Sequence, residues 1–156
     1  MSRAFVKESD QEEVSTLPER PVSAHPNFVT PSGLHQIEAQ LRTLDGEREM
    51  ARAADDKAAL ARVARDLRYW NARRANARVV EPAAASPDTV RFGMQVTLRF
   101  EDGSERLFRL VGEDEADPPQ GLLSWVSPVA TALLGRAVGD TVSVLGKDAE
   151  IVRIEA

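Results

Sequence analysis

The sequence contains no cysteine. Disulfide frameworks, thiolate metal sites and cysteine nucleophiles are therefore excluded, and a reducing compartment is the natural setting. Histidine occurs only at His25 and His35, one in a Pro-rich stretch and one at a helix start, which is too little for a zinc site. Aromatic residues make up 5% of the chain. No apolar run approaches the about 18 residues of a membrane span. The N-terminal residues Met1 to Glu8 lack the apolar core of a secretory signal, so a cytoplasmic location and no membrane partner are expected. A basic excess is also missing: 20 Lys and Arg face 25 Asp and Glu, for a net charge of −5. A duplex-DNA binder would show the opposite balance. Neither a Walker-type loop nor a Gly-x-Gly-x-x-Gly fingerprint is present.

What the sequence does contain falls into four stretches, and together they predict an α+β chain. Residues 1–29 are acidic, carry Pro18, Pro21 and Pro26, and show no period of 2 or 3.6. They read as a mobile acidic tail, because they offer little apolar surface to offset ordering entropy. At Thr30-Pro31 a hydroxyl precedes a proline at a first helical position, a strong helix start. Leu34, Ile37, Leu41 and Leu44 then recur at helical spacing, and after Ala54-Asp55-Asp56-Lys57 a second stripe follows through Leu60, Val63, Leu67 and Trp70. Two striped helices joined by a few polar residues predict an antiparallel coiled-coil hairpin over 30–80, with Leu44 beside Leu60 or Val63. Each arm of about 23 residues would be about 35 Å long.

Residues 81–89 read as a linker stopped by Pro82 and Pro87. Residues 90–156 read as a β-rich domain of about five strands with one short helix, enough for one modest core. Strands are expected over 90–100, 106–111, 122–126, 141–145 and 150–154, with Asp102-Gly103 as a hairpin turn. The short helix opens at Ser127-Pro128 and ends at Gly135.

Several groups are candidates for function, each with a plainer role beside it. Asp55 and Asp56 at the expected tip are either a carboxylate pair delivered to a partner's metal or an ordinary turn and helix cap. Nine arginines lie between residues 42 and 78. Among them Arg62, Arg65 and Arg68 are candidate contacts to RNA or an acidic protein surface, or part of a helix face laced with opposite charges. The acidic run Glu113, Asp114, Glu115, Asp117 lacks calcium-loop spacing and reads as a solvated loop. Trp125 reads as a core residue of its strand.

Three blocks in order carry a resemblance: Val111-Gly112-Glu113-Asp114-Glu115-Ala116-Asp117, Leu123 to Gly135 with Trp125-Val126-Ser127-Pro128 inside it, and Val138-Gly139-Asp140. With Thr30-Pro31-Ser32-Gly33-Leu34 and Leu67-Arg68-Tyr69-Trp70 they resemble the GreA/GreB family of bacterial transcription elongation factors over residues 28–156. The resemblance implies an FKBP-like C-terminal domain that binds bacterial RNA polymerase at the rim of its secondary channel, through Val126, Ser127 and Pro128. It implies a monomeric accessory protein that meets nucleic acid only through the polymerase and is not itself an enzyme. It has no cofactor or metal of its own; any magnesium would be shared at the polymerase active site, reached by the tip acids Asp55 and Asp56. This sequence departs from the cleavage factors in its shorter coil, in the absence of their tip motif, and in Val126 where they carry Asp or Asn. The first two departures argue against stimulation of transcript cleavage. The short coil also resembles the regulator of nucleoside diphosphate kinase, so binding of another protein such as that kinase is one alternative. Prolyl isomerase activity is a weaker one, since the FKBP-like domain has only Phe92, Phe100, Phe108 and Trp125 to line a pocket.

Overall fold

The computed structural model describes residues 17–82 and 87–156. These residues pack as two compact units, one helical and one built on a sheet. The expectation of a mobile tail over residues 1–16 lies outside the described residues.

The helical unit is a hairpin. Its first arm is α1, Pro31–Ala53, whose opening residues through Gln36 pack with the sheet unit. Its second arm is α2, Lys57–Ala75. At 1.5 Å per residue the arms are about 35 and about 28 Å long, so the second is shorter than the sequence suggested. Leu41, Leu44, Val63 and Leu67 form one buried cluster with Trp70 against it, which joins the two apolar stripes as expected. Each buried Leu or Val contributes about 1.5–3 kcal/mol by leaving water.

Three residues make the tip. Asp55 N donates to Arg52 O at 3.1 Å and Asp56 N to Ala51 O at 2.9 Å, the paired bonds of a Schellman helix end. Asp55 holds the left-handed conformation that this end requires, with φ +50°. Asp56 immediately caps α2, its Oδ1 accepting from Ala59 N at 3.0 Å. One helix therefore stops and the next starts with no free loop between them.

The sheet unit holds two sheets. A small parallel pair joins β1, Asn27–Val29, to β2, Ala77–Val79, with Phe28 opposite Arg78. Residues 27–29 thus form a strand where the sequence suggested a tail. Asn27 and Val29 are buried in it, a fit that three residues among prolines could not signal by periodicity. The main sheet contains β3 (Gln95–Phe100), β4 (Glu105–Val111), β5 (Leu122–Ser124), β6 (Thr141–Val144) and β7 (Lys147–Glu155) in the order β5-β4-β3-β7-β6. All neighbours are antiparallel except β4 and β5. A register shift in the β3–β7 ladder falls between Thr97 and Leu98 and adds local twist. The short helix α3, Pro128–Leu133, contributes Ala130 and Leu133 to a core shared with Val96, Leu98, Leu110 and Ile151. This is an FKBP-like arrangement of a curled sheet around one short helix.

Two strand ends fall earlier than the sequence suggested. β5 stops at Ser124 because Ser127 N bonds back to Ser124 O at 2.9 Å, closing a turn over residues 124–127. β6 stops at Val144 because Leu145 and Gly146, with φ +52° and +79°, form a tight hairpin into β7, the left-handed pair that a two-residue connection needs.

Candidate functional site

The turn over 124–127 is the element that presents the docking candidates. Trp125 N still bonds Val111 O at 2.9 Å, so the turn hangs directly from the end of the β4–β5 ladder. Val126 N lies 3.4 Å from Ser124 Oγ. Ser127 caps α3: its Oγ accepts from Ala130 N at 3.3 Å and its carbonyl accepts from Thr131 Oγ1 at 2.8 Å. Pro128 stands at the first helical position with its ring exposed, while Val126 and Ser127 are half-buried. Capping and presentation are therefore one arrangement, since the bonds that start the helix also fix the three residues at the surface.

Behind the turn stands an aromatic cluster. Trp125 meets Phe28 edge to face at 5.1 Å between centroids, and Phe28 meets Phe92 at 5.9 Å. Trp125 is thus half-buried against β1 beyond the end of its strand. Phe28 lies two residues before Thr30, the cap of α1, so the turn over 124–127 and the start of the first arm share one support.

A second support comes from the acidic run, which the sequence suggested was simply solvated. Its residues Glu113–Glu115 form a turn of 3-10 helix. Thr30 Oγ1 donates to Glu115 Oε2 at 2.6 Å and accepts from Gly33 N at 3.0 Å. A carboxylate at a helix N-terminus is favoured by the helix dipole. Gly33 leaves the space that Glu115 uses: a Cβ there would lie 2.8 Å from Glu115 Oε2. Gly112 leaves similar space for β1, because a Cβ on it would lie 2.5 Å from Phe28 O. The sequence singled out Glu115 only as part of a solvated run and Gly112 only within a resemblance block, since their partners are far away in the chain.

At the hairpin tip Asp55 and Asp56 are both exposed. One oxygen of Asp56 is committed to the cap, and among the described residues no group of three His, Cys, Asp or Glu is placed to hold a metal.

The arginine candidates separate. Arg62 is exposed. Arg65 pairs with Asp66 at 3.2 Å, and Arg68 forms a fork with the Glu19 carboxylate. That fork holds Glu19 below the ordinary glutamate range and raises Arg68. Arg48 and Arg52 of α1 pair with Asp45 and Glu49 of their own helix. Arg73 is only 2% exposed and belongs to the interior. A groove of about 670 Å³ between the hairpin ends of the sheet is lined by charged and polar groups such as Glu101, Asp102, Arg106 and Lys147, with Phe100 as its one aromatic. That lining is unlike the apolar pocket a prolyl isomerase needs.

The fold is a helical hairpin followed by a sheet domain that carries a hydrogen-bonded surface turn over residues 124–127. Among the described residues, no helix is long and apolar enough to cross a membrane. A family profile described as "Transcription elongation factor, GreA/GreB, C-term" matches residues 85–156. The chain is 33% identical over 135 residues to the transcription elongation factor GreA of Acidiphilium cryptum, covering 74% of this chain and 86% of that one. It is 34% identical over 143 residues to that of Chloroflexus aggregans, covering 76% of this chain and 88% of the relative. A solved structure of GreA factor homolog 1 from Thermus thermophilus overlaps 85% of this chain and 100% of its own, at 18% identity and a TM-score of 0.42. The chain belongs to the GreA/GreB family of transcription elongation factors. Membership does not favour the two alternatives, binding of nucleoside diphosphate kinase and prolyl isomerisation.

Proposed function

We propose that this chain binds bacterial RNA polymerase at the rim of the secondary channel through Val126, Ser127 and Pro128, and regulates elongation there without stimulating transcript cleavage. The observation that carries the reading is the three-residue tip. The first arm closes with a Schellman end at Asp55 and the second opens on Asp56, so the arms stop where they meet. A carboxylate adds a ligand to magnesium only at about 2.1 Å, and a hairpin with no extra turns has no reach to spare. The docking turn supports the binding half, because a surface loop with its backbone already bonded loses little entropy on association. Arg62 is exposed on the second arm and is available to RNA or to acidic polymerase surface. The place of action would be the cytoplasm, with the polymerase.

The test is a stalled, backtracked polymerase complex with labelled RNA. Added protein is expected to slow cleavage driven by a true cleavage factor and to give no cleavage alone. Val126→Lys/Pro128→Ala is expected to abolish that competition, while Asp55→Ala/Asp56→Ala leaves it in place. Cleavage by the chain alone, lost in the tip variant, would overturn the reading of the tip. Failure to compete or to bind polymerase would overturn the docking.

A further inference from the structure

The main sheet ends differently at its two edges. At β5 the outer edge is taken: Asp117 N donates to Leu122 O at 2.9 Å and Leu122 N to Asp117 O at 3.1 Å. At β6 it is open. β6 pairs only with β7, Val144 opposite Lys147 and Val142 opposite Ala149. The two-residue connection makes these two the bonded pairs, so the N–H and C=O groups of Thr141 and Ser143 point away from the sheet. Both residues are exposed, and among the described residues these four backbone groups have no partner. Native edges are guarded by Pro, Lys or a bulge, and Thr141–Val144 has none of them.

Each end of this edge carries an exposed apolar side chain. Leu145 is 84% exposed and holds φ +52° in the hairpin that follows β6. Asn, Asp or Gly fills such a position without the strain that Leu incurs. Val138, three residues before β6, is 57% exposed. A strand laid antiparallel on β6 must bond to Thr141 and Ser143. The β6 of a second copy does so when Thr141 faces Ser143, and Val142 faces Val142, across a two-fold axis. Four hydrogen bonds then form. The same register sets Leu145 against Gly139 of the second copy, beside Val138, at a place where an added Cβ meets nothing within 4 Å. It also sets Val144 against the second copy's Asp140, so Lys147, opposite Val144, has that carboxylate on the same face. The like charges in line with the new bonds, Asp148 and the second copy's Glu150, stand three strand spacings apart, about 14 Å. That exceeds the about 8 Å screening length at physiological salt. A strand of arbitrary sequence would find the four backbone groups but neither the apolar contacts nor the two charge pairs.

We infer that β6 is a self-pairing edge: two copies of this chain join antiparallel through Thr141–Val144 into one continuous sheet, with Leu145 of each packed on Val138 and Gly139 of the other. This goes beyond the docking proposed above. It leaves the turn over 124–127 free, because β5 and β6 are opposite ends of the strand order. An edge of four residues belongs with the small interfaces, below about 1,200 Å², so the dimer is expected at high concentration. The test is sedimentation velocity of the full chain over rising concentration to about 1 mM. The unaltered chain is expected to pass from monomer to dimer and no further. Ser143→Pro removes an N–H that a single copy does not use, at an edge position that tolerates Pro, and is expected to weaken association by about tenfold or more. Leu145→Asn is expected to weaken it severalfold while raising the melting temperature, since Asn suits the turn. Circular dichroism checks the fold; should Ser143→Pro lose it, Leu145→Asn decides alone. A chain monomeric throughout would overturn the inference, as would association that a folded variant leaves unchanged or that continues past the dimer. Amide shifts at Thr141 and Ser143 when an acetylated Val-Lys-Val-Lys peptide is added to a monomeric chain would instead assign the edge to a strand of another protein.

Discussion

Thr30 Oγ1 donates a 2.6 Å hydrogen bond to Glu115 Oε2 across 85 residues of sequence, and in doing so it serves two purposes. The same hydroxyl oxygen caps the first helical arm through Gly33 N. Replacing Thr30 with Val keeps the shape and removes both bonds. The expected loss is about 1 kcal/mol, the usual worth of an N-cap, read as a lowered melting temperature. Glu115→Gln, which still accepts a hydrogen bond, is expected to lose less.

Two glycines give opposite expectations. Gly112→Ala forces a methyl against the Phe28 carbonyl at 2.5 Å, where only backbone can yield. Overpacking of this kind costs about 1–3 kcal/mol, and loosening of β1 should accompany it in hydrogen exchange. Gly46 lies in the middle of α1, and a Cβ there meets nothing within 4 Å. Gly46→Ala is expected to stabilise the chain by about 1 kcal/mol. Thermal or urea unfolding of the two variants side by side checks both.

The tip offers a third pair. Asp55 occupies a left-handed position that disfavours side chains by about 1–2 kcal/mol, less for Asp than for most. Asp55→Gly is therefore expected to stabilise the hairpin, by up to about 1 kcal/mol. Asp56→Ala removes the cap of α2 and is expected to cost about 1 kcal/mol. Opposite shifts in the unfolding midpoint would show that the two neighbouring carboxylates serve different backbone needs.

Acidification is expected to loosen two surface contacts. Hydrogen bonds from Arg68 hold Glu19 below the ordinary glutamate range, aided by the Arg68 and Arg65 charges and opposed by desolvation. Hydrogen bonds from the Ser104 side chain and backbone hold Asp102 below the ordinary aspartate range. A carboxyl whose folded value is lowered stabilises fully above its ordinary value and loses that contribution as pH falls through the lowered one. Both contacts should therefore be intact near neutrality and fail only in acid. Carboxyl titration by NMR is expected to give depressed midpoints that rise toward ordinary values in Arg68→Ala and Ser104→Ala respectively. Ordinary midpoints in the unaltered chain would mean that these contacts do not persist in solution.

The parts of the fold that were legible are those written in local patterns. The apolar stripes marked both helices and the cluster that holds Leu44 with Val63, and Ser127-Pro128 marked the start of α3. What escaped notice depends on distant partners. β1 is three residues long and is recognisable only through its pairing with β2, fifty residues on. Glu115 looked solvated because its partner is Thr30. The fork of Glu19 with Arg68 was hidden for the same reason, inside a stretch whose composition suggested disorder. The end of the first arm was legible only in outline, because Asp55 fills a position that glycine usually marks.

The parallel pairing of β1 with β2 has a consequence for how this architecture changes over time. Asn27–Val29 and Ala77–Val79 lie side by side, at the about 4.8 Å separation of neighbouring strands. The whole hairpin is therefore an excursion whose two ends are stitched together by one strand pair. Turns of helix added to or removed from both arms leave that stitch and the sheet behind it untouched. Arm length is thereby separated from the strand pair, which needs only that the chain leave at Val29 and return at Ala77.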